Sequence, residues 1–287
     1  MSVELLRVQT ADGVRLDGAL SEAAGGAASG GFDAVLMQHG VGGNFYNPSF
    51  FEPITKEFVS RGVTVLRANN RGHDLMYNSP AGRLGAAFET VDDCRHDWKA
   101  WLDLLEGRGL RRVCVFGHSL GAVKSIHHAA LEQDPRVVRV IAASPPRFNH
   151  ANSHAMDTSG GFKATYERAQ ALVQAGNGDE LITITVPTSA VMAAKTYVDK
   201  YGPTNRYDLL GNLPGVSVPT LVTIGGEEGK GPAFPDWYSF GGLATKVASL
   251  AEGQPNLTLR VIPGADHGYS GKSTELWAAV DGWVRST

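Results

Sequence analysis

Two cysteines in 287 residues leave no disulfide framework to staple the fold. Cys94 falls in a helical pattern, and Cys114 sits inside an apolar strand, where it reads as a small buried residue. A reducing, cytoplasmic setting is the expectation that follows. No run of about 18 apolar residues occurs, so no transmembrane helix is expected. The opening MSVELLRVQT has neither the basic stretch nor the apolar core of a secretory signal. Charge of one sign is missing too. Lys and Arg number 26 against 29 Asp and Glu, a net −3, without the basic footprint that nucleic acid demands. Neither nucleic acid nor membrane is therefore an expected partner. What remains is 43% hydrophobic and 19% charged, enough chain for one large α/β core.

What is present alternates. Residues 4–20 read as an edge hairpin around Asp12-Gly13, and 23–31 as a Gly/Ala-rich surface turn. A continuous apolar run at 34–37 predicts a strand buried on both faces, and further strands are expected at 63–68, 113–116, 137–143, 219–224 and 257–262. Patterns of period 3.6 predict helices at 50–61, 91–106, 243–250 and 274–285. This alternation means a mostly parallel sheet covered on both sides. About 75 residues separate the strand at 137–143 from that at 219–224, too many for a plain crossover. They carry two predicted helices, 162–175 and 189–201. With no linker or repeat in sight, the chain reads as one domain, 1–287, in which 146–215 is a mostly helical cap over the strand ends. Phe162, Tyr166, Met192 and Tyr197 are its candidates for roofing a site.

The chemistry gathers at Gly117-His118-Ser119-Leu120-Gly121, a pentapeptide between the strand ending at Phe116 and a helix with Ala122, Val123, Ile126 and Ala130 on one stripe. Strand, sharp turn and helix with a serine at the apex form a nucleophile elbow. The pattern G-x-S-x-G by itself arises by chance in roughly one such chain in four. Ser119 could also serve merely as a helix N-cap. Context separates the two readings.

Together with the His39-Gly40 turn, Asn70-Arg71-Gly72-His73 and Ala265-Asp266-His267, the elbow makes the chain resemble the α/β-hydrolase superfamily over nearly its whole length. That resemblance implies the fold and a triad in the order Ser, acid, His. His267 follows a predicted strand end, where an imidazole can take the proton of Ser119. In similar hydrolases an acid stands three residues after the glycine closing the preceding strand. Here that is Glu228, within Gly225-Gly226-Glu227-Glu228-Gly229, although most relatives carry Asp there. Glu227 and Asp236 remain alternatives. The resemblance also puts the two oxyanion donors on the backbone N–H groups of Val41 and Leu120.

The remaining histidines carry less. His39 and His73 resemble structural turns, and His118 is the variable residue of the elbow. His127 and His128 point about 100° apart on a helix and cannot share a metal. His150, His154 and Asp157 have ligand-like spacing without a second supporting element, so no metal is expected. The expected function is a cofactor-independent serine hydrolase that cleaves a carboxylic ester, thioester or related acyl bond of a small molecule through an acyl-enzyme. Acyl transfer, carbon–carbon bond hydrolysis and a non-catalytic binding role on the same fold stay open as alternatives.

Overall fold

A computed structural model describes residues 3–23, 30–47, 49–230 and 239–287. Strands β1 (Val3–Gln9) and β2 (Arg15–Ser21) form the expected antiparallel hairpin, with Gly13 at φ 86° in its turn. Most of the Gly/Ala-rich turn, 24–29, lies outside the described residues. The chain continues through β3 (Ala34–Gln38), α1 (Phe51–Ser60), β4 (Thr64–Ala68) and a short hairpin of β5 (Tyr77–Ser79) and β6 (Gly82–Leu84). A 3-10 turn over Val91–Asp93 opens α2 (Cys94–Gly107), followed by β7 (Val113–His118), α3 (Leu120–Glu132) and β8 (Val137–Ala143). Then come α4 (His150–Met156), α5 (Gly161–Gln174), β9 (Leu181–Ile184), β10 (Ala190–Ala193), α6 (Ala194–Tyr201) and α7 (Leu209–Asn212). β11 (Thr220–Gly225), α8 (Leu243–Glu252), β12 (Leu257–Ile262) and α9 (Ser273–Ser286) close the chain.

The eight-stranded sheet runs in the order β1-β2-β4-β3-β7-β8-β11-β12. β2 pairs antiparallel with β4, and every pairing from β4 to β12 is parallel. The two-residue period of the central strands divides the core. Ala34 and Leu36 of β3 join Val113 and Val115 of β7 under Trp98, Trp101 and Ile126 of α2 and α3. Val35, Met37, Cys114 and Phe116 face the other way, onto Ile54 and Phe58 of α1 and Val280 and Trp283 of α9. Side chains that alternate faces thus explain why these runs are apolar at every position. From β3 the chain first steps outward to β4 and then returns to the other flank at β7. The switch point between β3 and β7 opens a crevice at the strands' C-terminal ends.

The segment between β8 and β11 is less helical than its sequence predicts. The expected helix over 162–175 is α5. The expected helix over 189–201 begins only at Ala194, because Ala190–Ala193 pairs as a strand with Leu181–Ile184. Ile182, Ile184 and Met192 point from this ribbon into one aromatic cluster with Phe162, Tyr197, Tyr201 and Tyr207. Leu120 and Val123 of α3 belong to the same cluster, so the insertion shares its core with the elbow helix. A buried ionic link reinforces this seam. Glu89 accepts from Lys124 of α3 and, at 2.9 Å, from Lys200 of α6.

Candidate active site

β7 stays paired with β8 through His118, and the next residue holds the bend. Ser119 sits at φ 54° and ψ −124°, a sparsely populated region for an L-residue. Its surroundings hold it there: its N–H donates to the carbonyl of Ala143 at 2.9 Å, and its own carbonyl accepts from Ala122 at 3.0 Å. The Ser119 side chain makes no capping bond to α3, which removes the N-cap reading. The two flanking glycines act differently. A Cβ on Gly117 would stand 2.2 Å from the carbonyl oxygen of Gly121, inside the elbow itself. A Cβ on Gly121 would stand 2.4 Å from the carbonyls of both Gln38 and His39, so the second glycine seats α3 against the end of β3.

The three side chains expected to act together stand in one line. His267 Nε2 lies 3.0 Å from Ser119 Oγ, and His267 Nδ1 lies 2.5 Å from Glu228 Oε1. A carboxylate only accepts, so the proton is on Nδ1, which leaves the Nε2 lone pair facing the serine hydroxyl. One tautomer satisfies both contacts. The line is wet at its middle and dry at the acid: the His267 side chain is 42% exposed and that of Glu228 only 3%.

Turn packing selects Glu228 over its neighbour. Gly226 N–H donates to the Ile262 carbonyl, Glu227 N–H to that of Ala265, and Glu228 N–H back to Gly225. A Cβ on Gly225 would meet the carbonyls of Ala265 and Asp266 at 2.6 and 2.7 Å, so this glycine is required for close approach to the histidine turn. Glu228 points inward, where Oε2 accepts from the Gly225 N–H at 2.7 Å. Glu227 points outward to Lys230, 2.8 Å away. Asp236, the third alternative, lies outside the described residues.

The loop after β3 lies directly on Ser119. A Cβ on Gly40 would be 2.9 Å from the Ser119 Cβ and 3.3 Å from its Oγ, and Val41 comes next in the chain. Leu120 is the first residue of α3, and its N–H belongs to the first-turn donors that have no intrahelical acceptor. His39 fastens this loop from below. Its Nδ1–H donates to Gly40 O at 2.8 Å while Nε2 accepts from Asn70 N–H at 3.2 Å. Burial lowers its pKa to about 4, so the ring stays neutral near pH 7.

Beside Ser119 and His267 opens a cleft of about 310 Å³, walled by His39, Gly40, Val41, Asn47, Phe50 and His118. Phe162, Tyr166, Met192 and Tyr197 are not among its lining; they pack in the insertion's aromatic core instead. No group of three or more His, Cys, Asp or Glu side chains suited to a metal ion occurs among the described residues. His127 bonds Asp92 at 2.9 Å, and His150 donates to the Tyr201 carbonyl at 2.7 Å. No described helix is long and apolar enough to cross a membrane.

Sequence reasoning overlooked Ser144 and Tyr269 around this line and read His118 only as the variable residue of the elbow. His118 Nε2 meets the His267 carbonyl at 2.8 Å, and Ser144 Oγ meets Glu228 Oε2 at 2.6 Å. The signal for Ser144 is its position directly after β8, the strand next to the elbow strand in the sheet.

Solved structures share this architecture from end to end. The α/β hydrolase GrgF from Penicillium sp. sh18 superposes with a TM-score of 0.70 at 14% identity, covering 100% of this chain and 99% of its own. Est1E from Butyrivibrio proteoclasticus with ferulic acid bound gives 0.63 at 17%, covering 97% and 96%. An esterase from Pyrococcus furiosus gives 0.62 at 16%, covering 99% and 91%. No curated protein matches the chain in sequence. At such identities the likeness carries the fold alone, whereas a model of the alpha/beta hydrolase family matches residues 34–279, most of the chain. The protein therefore belongs to the alpha/beta hydrolase family.

Proposed function

We propose that the protein is a cofactor-independent serine hydrolase that cleaves a carboxylic ester, thioester or related acyl bond of a small molecule. The observation that supports this most directly is the unbroken line of Ser119 Oγ, His267 and Glu228 at 3.0 and 2.5 Å. In the proposed reaction Ser119 Oγ adds to the carbonyl carbon while its proton passes to His267 Nε2. The carbonyl π electrons move to oxygen, and the N–H groups of Val41 and Leu120 hold that oxyanion. Collapse breaks the bond to the alcohol or thiol, which leaves with the proton from His267. Water then adds to the acyl-enzyme by the same route, with His267 as base, and the acid product leaves Ser119 free. Glu228 keeps the imidazole in its productive tautomer and stabilises the imidazolium.

Residues 1–287 are read as one domain and 146–215 as its cap, a reading supported by the aromatic core that joins the insertion to Leu120 and Val123. Esterases among the structural neighbours are consistent with acyl chemistry. Acyl transfer and carbon–carbon bond hydrolysis need the same apparatus, and the substrate would decide between them. A purely binding role has no use for an oriented base, so the line of three groups favours catalysis. Covalent labelling of the purified protein with a fluorophosphonate tests the reading. Labelling that disappears in Ser119→Ala supports it, and a folded wild-type protein that never labels refutes it.

A further inference from the structure

Glu228 has two oxygens, and His267 occupies only one. The other, Oε2, is held by the Gly225 N–H at 2.7 Å and by Ser144 Oγ at 2.6 Å. Ser144 comes from the end of β8, next to the Ala143 whose carbonyl receives the Ser119 N–H. It is fully buried and held at φ 49°, an uncommon conformation for a serine. Its own N–H donates to the Thr223 carbonyl at 2.8 Å, which fixes it between β8 and β11.

Proton counting sets the direction of the contacts behind it. Ser144 has one hydroxyl proton, and its carboxylate partner can only accept, so that proton points at Glu228. Tyr269 Oη, 2.9 Å from Ser144 Oγ, must then donate to it. Thr223 Oγ1, 2.7 Å from Tyr269 Oη, must in turn donate to the phenol. Tyr269 and Thr223 are both buried, and burial raises the Tyr269 phenol far above its ordinary range, so its proton stays in place. Three hydroxyls from β8, β11 and the histidine turn thus point one after another at a single carboxylate oxygen. Aligned donors in a dry interior polarise each other, which strengthens the last bond of the chain.

We propose that Ser144 is a positioning residue of this site, the last hydroxyl of a buried Thr223–Tyr269–Ser144 chain that locks the Glu228 carboxylate in the orientation His267 needs. Its kinetic consequence rests on the serine-hydrolase reading; its structural consequence does not. The longer glutamate makes such a lock useful. A glutamate has one more rotatable bond than an aspartate, and a second anchor on Oε2 removes the freedom that bond adds.

Ser144→Ala, which keeps the Cβ and removes the hydroxyl, and Tyr269→Phe, which keeps the ring, provide the test. The low-field proton NMR resonance of His267 Nδ1–H reads the contact to Glu228 with no turnover needed. In Ser144→Ala that resonance is expected to move or broaden by exchange. The kcat on a short activated ester should fall about 10- to 100-fold with KM within twofold. Tyr269→Phe should do the same more weakly. A folded Ser144→Ala protein with the wild-type resonance overturns the proposal; should that variant not fold, an unmoved resonance in Tyr269→Phe overturns it equally. A wild-type protein that resists fluorophosphonate, yet shows the resonance move in Ser144→Ala, sinks the hydrolase reading and leaves the positioning role standing.

Discussion

The His118 imidazole and the backbone carbonyl of His267 lie 2.8 Å apart, so the residue before Ser119 tethers the turn that carries His267. A carbonyl only accepts, which puts the proton on His118 Nε2. Burial lowers the pKa of His118 to about 4, leaving a neutral donor at physiological pH. Phe50 packs edge-on against the ring at 4.8 Å and holds it in place. His118→Ala should therefore loosen the base without removing it. A fall in kcat of about 10-fold is expected, with fluorophosphonate labelling slowed but retained. Stopped-flow labelling rates check this, and an unchanged rate would contradict the tether.

The proposed nucleophile and base should behave as a unit. Ser119→Ala and His267→Ala are each expected to lower hydrolysis of a short activated ester by about 10⁴-fold or more, with thermal midpoints close to wild type. Glu228→Gln keeps the size but loses the charge, and should cost less because the base remains. Glu228→Asp should not restore activity. The Glu228 carboxylate is anchored by Ser144 and Gly225, and a side chain one methylene shorter cannot hold both anchors and His267. Wild-type kcat in Glu228→Asp would count against this geometry.

At the seam between the insertion and the elbow helix, Glu89 stands between two buried lysines. Burial alone would raise its carboxyl. Lys124 and Lys200 outweigh that and hold the pKa down at about 2. The folded value lies below the unfolded one, so the stabilisation is present above about pH 4.5 and fades as pH falls toward 2. Glu89→Gln should destabilise the protein at neutral pH by about 3–5 kcal/mol, because two ammonium groups stay buried without a counter-charge. Between pH 4.5 and 2 the two unfolding midpoints should converge. Parallel curves from thermal melts across that range would show that Glu89 is not the group responsible.

Two glycines on helices should respond in opposite ways to alanine. Gly121→Ala drives a Cβ against two carbonyl oxygens of the β3 end, which neither side can relieve without moving the elbow. Loss of labelling and a large drop in melting temperature are expected. Gly282 in α9 is exposed, and an added Cβ meets nothing within 4 Å. Gly282→Ala should stabilise the protein by up to about 1 kcal/mol through helix propensity alone. Denaturant titrations of both variants give the comparison directly.

The sequence by itself determined whatever is local. Apolar runs at 34–37 of β3 and 113–116 of β7, bounded by turn residues, settle the strands, because a strand buried on both faces is apolar on both sides of its pleat. The elbow is legible for the same reason: strand, glycine-flanked serine and helix lie within some ten residues. His267 is readable because a histidine just past a strand end has its height in the sheet assigned by the strand.

Tertiary structure decided what depends on the partner across the sheet. Glu227 and Glu228 are adjacent and chemically alike, and only the hydrogen bonds of their turn to Ile262 and Ala265 send one inward and the other to Lys230. Ala190–Ala193 reads as the start of a helix until Leu181–Ile184 supplies a strand to pair with. Gly121 looks like a requirement of its own turn, yet its contact is with residues 38 and 39, more than eighty positions earlier. Ser144, Thr223 and Tyr269 carry no pattern at all; the end of β8, strand β11 and the histidine turn bring their hydroxyls together behind Glu228. Periodicity records which way a side chain faces along its own strand, whereas the groups it meets are set by strand order and packing.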